Sequence, residues 1–113
     1  MNSLAASIEL RHLRTFESVA RNLSFSRAAE ELHVAQSALS NQIKHLENHL
    51  GVQLFDRSST RIKLTASGKA FVPYVETILS QVEIAATAAQ EAAKSKTSVL
   101  SIATDWRVTH PKV

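Results

Sequence analysis

Seven apolar residues, Phe71, Val75, Ile78, Val82, Ala85, Ala89 and Ala92, follow one another at steps of 4, 3, 4, 3, 4 and 3. Only an α-helix lines such a series up on one face, and this is the spacing of the seam between two coiled helices. A lone helix would leave the stripe in water. The spacing therefore predicts that two copies of the chain pair through it. The competing reading is an amphipathic helix packed on its own domain. The upstream elements look complete without it, which favours pairing. The alanine-rich second half suits close helix contact, although each Ala adds little burial energy. Pro73 falls inside the helix, removes one backbone bond and should kink it.

Helix breakers are scarce, with two glycines and two prolines in 113 residues, so their positions are informative. Leu10, Leu13, Phe16 and Ala20 recur at helical spacing and predict a first helix over about 9–21. Asn22-Leu23-Ser24 interrupts it, and Ser24 is suited to cap a short second helix whose apolar face is Phe25, Ala28, Ala29 and Leu32. After the break His33-Val34-Ala35, a third helix is expected over about 36–50, with Leu39, Ile43, Leu46 and Leu50 facing inward. Gly51 sits where a left-handed terminating residue is needed, and Val52 could pack back on Leu46. Gln53 to Arg57 and Ile62-Lys63-Leu64 flank the polar Ser58-Ser59-Thr60-Arg61 and predict a small β-hairpin, a wing. Thr65 then caps the long fourth helix. Beyond Lys96, Ser98 to Thr104 reads as a strand.

Composition narrows the function classes. Lys and Arg total 13 against 10 Asp and Glu, a net charge of +3. Residues 9–69 hold nine of the basic and six of the acidic side chains, so the whole excess lies there. Cysteine is absent, which excludes disulfides and thiolate zinc sites. Residues 1–7 are too short and mild for a signal peptide, and no apolar run approaches the roughly 20 residues that span a bilayer. The expectation is a cytoplasmic protein with no membrane partner. Catalysis is rejected: no Gly-x-Ser-x-Gly motif and no phosphate-cradling glycine loop is present. His45 and His49 lie four apart on the third helix but lack a third ligand, so neither a metal nor a cofactor is expected.

The order helix, short helix, turn, longer helix, wing, long helix carries linked motifs. Leu10-Arg11-His12-Leu13-Arg14-Thr15-Phe16, Ser24 to Val34 and Gln36 to Ile43 resemble LysR-type transcriptional regulators, as do Leu46-Glu47, Leu50 to Arg57 and Leu64-Thr65-Ala66-Ser67-Gly68. The resemblance covers about residues 8–95. It implies a mainly α fold: a winged helix-turn-helix of three helices and a two-stranded β wing, then a long dimerisation linker helix. It also implies a bacterial regulator that binds promoters as a dimer or a dimer of dimers, with a larger C-terminal domain that senses a small molecule. On this reading residues 1–7 are a disordered extension, 8–65 the DNA-binding domain and 66–95 the linker helix. Residues 96–113 would be the start of a truncated effector-binding domain or a disordered tail, and no effector should bind these residues.

With Leu39, Ile43 and Leu46 inward, the third helix presents Gln36, Ser37, Ala38, Ser40, Asn41 and Lys44 to a major groove. Arg27 should reach the phosphate backbone, and the wing arginine Arg61 the neighbouring minor groove. Arg57 has two readings, a DNA contact at the wing base or a structural pair with an acid. Three departures from the family pattern stand out. Ala35 replaces a common capping Ser, which weakens that helix start by roughly 0.5–2 kcal/mol unless another group substitutes. Ser37 stands where Pro is frequent and could supply some of that capping. Asn41 replaces a frequent Arg, and Asn suits adenine where Arg prefers guanine. Phe71, Val75, Ile78, Val82, Ala85 and Ala89 are the expected dimer contacts. The rival to a DNA-reading head is a short protein-interaction module that forms mixed dimers with a full-length regulator through the linker helix.

Overall fold

The computed structural model describes the backbone of residues 8–100 and the side chains of residues 8–94. The expectations for residues 1–7 and 101–113 lie outside the described residues. Contacts divide the chain into two units, Met1–Leu79 and Ser80–Val113.

The first unit opens with helix α1 (Leu10–Asn22), whose Leu13, Phe16 and Val19 are buried. It ends on Leu23 in the left-handed region, with φ of 49° and its N–H bonded to the Val19 carbonyl at 2.7 Å. Ser24 then caps α2 (Phe25–Leu32), its hydroxyl accepting the Arg27 N–H at 3.1 Å. Ala28 and Ala29, the small residues of that helix, lie inside the core. His33, at φ 58°, closes α2, and the Val34 N–H reaches back to the Ala29 carbonyl at 3.1 Å. This left-handed turn aims the chain into α3 (Gln36–Leu50), whose Leu39, Ile43 and Leu46 are fully buried. Gly51 terminates α3 at φ 73° as its lack of a Cβ permits. The Val52 N–H returns to the Glu47 carbonyl of the last turn at 3.3 Å, but its side chain is not buried there. It stays 40% exposed, and Leu54 fills the core beside Phe55 instead.

Strands β1 (Phe55–Asp56) and β2 (Lys63–Leu64) pair antiparallel, Phe55 opposite Leu64 and Asp56 opposite Lys63. The hairpin is shorter than its apolar runs suggested. Its tip is held by the Asp56 carboxylate, which accepts the Ser58 N–H at 2.9 Å and the Ser58 hydroxyl at 2.6 Å. At the base, Thr65 donates to the Gln53 carbonyl at 2.7 Å and accepts from the Gly68 N–H at 3.0 Å, so one hydroxyl ties the hairpin to the start of α4 (Ala66–Leu100). Gly68 must be glycine: a Cβ there would lie 2.2 Å from the Leu54 carbonyl oxygen.

Two expectations about α4 are corrected. Val75 is fully buried within the first unit, and Phe71 packs edge-on against Phe16 with centroids 5.0 Å apart. Val75 is thus removed from water without a second chain and Phe71 is half-buried beside it, so the first two seam positions contribute to the head's own core. The head is not finished by three helices and a wing. Secondly, α4 continues through Pro73 and on through Leu100, so Ser98, Val99 and Leu100 are helical rather than the opening of a strand. The Ala-, Glu- and Lys-rich run before them favours helix propagation. In the second unit, α4 leaves Ala85, Ala89 and Ala92 exposed and Val82 half-buried, and Ile84 is 56% exposed.

Candidate nucleic-acid interface

Because Leu39, Ile43 and Leu46 are drawn inward, the opposite face of α3 is forced out. Gln36, Ser37, Ala38, Asn41 and Lys44 are exposed, and Ser40 is half-buried. These are short hydroxyls, amides and one cation on one helical face, starting at the N-terminal turn. That turn carries no side-chain cap at Ala35, so the missing capping serine is not replaced by a side-chain bond. Gln42, next to Asn41, is turned the other way and accepts a hydrogen bond from the Thr15 hydroxyl of α1. The bond adds a side-chain tie between α3 and α1 beside the exposed Asn41.

Arg27 is exposed on α2, and Arg61 is exposed at the tip of the hairpin. Ser59 donates to the Arg61 carbonyl at 2.9 Å, which shapes the tip while leaving the guanidinium outside. Among the described residues neither Arg27, Lys44 nor Arg61 has an acidic partner within ion-pair distance. Arg57 is different. Its Nη2 lies 3.6 Å from the buried Glu47 carboxylate, and its guanidinium carbon sits 4.9 Å above the Phe25 ring. The structural pair foreseen as one reading of Arg57 is present.

Three groups that sequence reasoning did not single out hold this surface in place. Glu47 is 4% exposed and accepts the Leu54 and Phe55 N–H groups at 2.8 and 3.3 Å. In the sequence it stood out only as part of the Leu46-Glu47 motif, with no role attached to its carboxylate. Glu31 joins α2 to the end of α1 through Arg21, Ser18 and Asn22, and the Arg21 guanidinium is the main reason its carboxyl is held down to about 2. His12 of α1 is buried and stacks on His45 of α3 with centroids 4.6 Å apart, and His49 follows at 4.3 Å. Burial first, then the neighbouring His45, push the His12 imidazole below its ordinary pKa. Its Nδ1 accepts the Glu9 N–H at 3.0 Å, a bond that needs the lone pair of the uncharged ring.

A short helix, a left-handed turn, an exposed polar helix and a hairpin with a cationic tip define a winged helix-turn-helix. A family model described as bacterial regulatory helix-turn-helix protein, lysR family, matches residues 10–69. The chain belongs to the LysR family, and the matched residues are its DNA-binding region. It is 50% identical over 76 residues to the Hca operon transcriptional activator HcaR of Escherichia coli K12, which covers 67% of this chain and 26% of that protein. Against the HTH-type transcriptional regulator HdfR of Escherichia coli it is 52% identical over 68 residues, 60% of this chain and 24% of that one. The chain thus spans about a quarter of the length of these curated relatives. Among solved structures, the BenM DNA-binding domain in complex with catB site 1 DNA superposes with a TM-score of 0.74 at 42% identity, covering 76% of this chain and 97% of that one. Full-length BenM gives a TM-score of 0.68 at 44% identity, over 71% of this chain and 26% of that one. These relatives are transcriptional regulators, and the likeness to DNA complexes does not favour the pure protein-interaction reading. No described helix is long and apolar enough to cross a membrane.

Proposed function

We propose that the chain reads promoter DNA as a homodimer in the cytoplasm, without catalysis, as the DNA-binding part of a bacterial transcriptional regulator. The observation that carries this is the division of α3, fully buried at Leu39, Ile43 and Leu46 and exposed at Gln36, Ser37, Ala38, Asn41 and Lys44. The α3 N-terminus lies against a phosphate, because an uncapped helix start offers free N–H groups and the positive end of the dipole. Ser37, Ser40 and Asn41 face base edges in the major groove, and Asn41 favours adenine. Arg27 and Lys44 neutralise phosphates, which gives affinity without sequence preference. Arg61 enters the adjoining minor groove, where narrow A·T-rich tracts draw arginine in.

Residues 8–65 form the reading head with the first turns of α4, and the later turns link two copies. Ile78, Val82, Ala85, Ala89 and Ala92 supply the pairing seam once Phe71 and Val75 are given to the head. In a longer regulator such dimers pair again into tetramers. Two linked heads match palindromic half-sites about one or more helical turns apart. Titration of this chain into labelled duplexes tests the reading. A promoter site is expected to bind at least about a thousandfold tighter than unrelated duplex at physiological salt. Equal affinity for both duplexes at every salt concentration would reduce the chain to a non-specific cation.

A further inference from the structure

Glu47 belongs to α3 but does not face the groove. A carboxylate at 4% exposure is costly unless its oxygens are occupied. Here Oε2 accepts the N–H groups of Leu54 and Phe55, at 2.8 and 3.3 Å, where the chain turns from α3 into the hairpin. Oε1 stands 3.6 Å from Nη2 of Arg57, and the Phe25 ring of α2 lies beneath that guanidinium at 4.9 Å. One carboxylate therefore ties together the recognition helix, the root of the wing and, through Arg57, the second helix. The Arg57 side chain remains 39% exposed, so the guanidinium is held on one side and open on the other. A guanidinium has five N–H donors, and the edge turned from Glu47 can still serve an anion.

We infer that Glu47 is a positioning residue for DNA binding: it sets the wing root against the recognition helix and holds Arg57 ready for the DNA backbone. The two readings of Arg57 then combine, because the structural pair is what aims the contact. The inference rests on the proposed docking of α3 and the wing on DNA. Clamping the two wing-root amides from α3 also means that the wing moves with the recognition helix as one body. The order in which the two engage DNA does not have to be set afresh at each encounter.

A double-mutant cycle tests it, with DNA affinity, its salt dependence and thermal unfolding measured for the chain, Glu47→Gln, Arg57→Ala and the double variant. Gln keeps one acceptor for the wing-root amides and removes the charge that orients Arg57. Each single variant is expected to bind roughly tenfold more weakly. The double variant should be within about twofold of Arg57→Ala, because the two residues act as one unit. In all three the salt slope should fall by about one phosphate contact while base preference within the half-site is kept. Losses that multiply, or a Glu47→Gln loss that follows only its unfolded fraction, overturn the inference. Should Glu47→Gln not fold, Phe25→Leu keeps the apolar bulk and removes the ring beneath the guanidinium. It is expected to lower the salt slope in the same way, and an unchanged slope overturns the inference. Failure of the unsubstituted chain to bind any duplex is a different result, and removes the DNA reading itself.

Discussion

Gly68 shows how much a single missing side chain can decide. A Cβ at this position meets the Leu54 backbone oxygen at 2.2 Å and the Leu64 side chain at 2.8 Å, and the first of these cannot swing away. Gly68→Ala is expected to destabilise the head by at least about 2 kcal/mol, as in other overpacked sites, read as a lower denaturant midpoint with little change in slope. Titrating residues make opposite-looking demands that share one direction. Glu31 has its carboxyl depressed from 4.5 to about 2 by Arg21 and its neighbours, so its contribution is complete above pH 4.5 and is lost as pH falls toward 2. His12 is depressed from 6.5 by burial and by His45, with Arg11 and His49 adding to the effect and Glu9 opposing it. The unfolded chain therefore binds the extra proton first, and stability declines as pH falls through 6.5. Melting temperature should drop in two stages, one below pH 6.5 and one below 4.5. His12→Gln should flatten the first stage and Glu31→Gln the second, and two unaltered profiles would contradict these assignments.

At the scale of elements, most boundaries were legible because the residues that stop helices are chemically distinctive. Ser24 caps α2 and Gly51 ends α3 as their side chains, or lack of one, require. The inward stripe Leu39, Ile43 and Leu46 then fixed which face of α3 was free. What periodicity could not show was the partner of an apolar stripe: a 4-3 repeat looks the same whether Phe71 meets Phe16 or a second chain. The role of Glu47 was illegible for a related reason, although the residue fell in a quoted motif: its bonds go to backbone N–H groups of Leu54 and Phe55, which leave no mark in side-chain identity. The left-handed His33 was hidden too, because a non-glycine residue at φ 58° is an exception to the usual choice. The division of labour between α2 and α3 is testable at this scale. Arg27→Ala is expected to weaken binding to all duplexes alike and to reduce the salt slope by about one, with base preference unchanged. A loss confined to one sequence would instead place Arg27 at a base edge.

For the whole molecule, the reassignment of Phe71 and Val75 separates folding from pairing. Those two lie in the head's core, while Ile78 remains 41% exposed and the seam residues beyond it are the ones proposed to pair. Val82→Glu should then leave head unfolding unaltered yet weaken self-association roughly a hundredfold by setting like charges across the seam, as sedimentation equilibrium would read it. A dimer that survives this change would move the interface elsewhere. The claim on which the function stands is that α3 reads sequence, and Asn41 is the residue that separates reading from mere attachment. Competition binding of Asn41→Ala across a panel of single-base-pair substitutions tests it most directly. The expected result is loss of about 1–3 kcal/mol of discrimination at one or two base pairs per half-site, with the other positions unaffected. A panel of affinities that keeps the same preference at every base pair would contradict it.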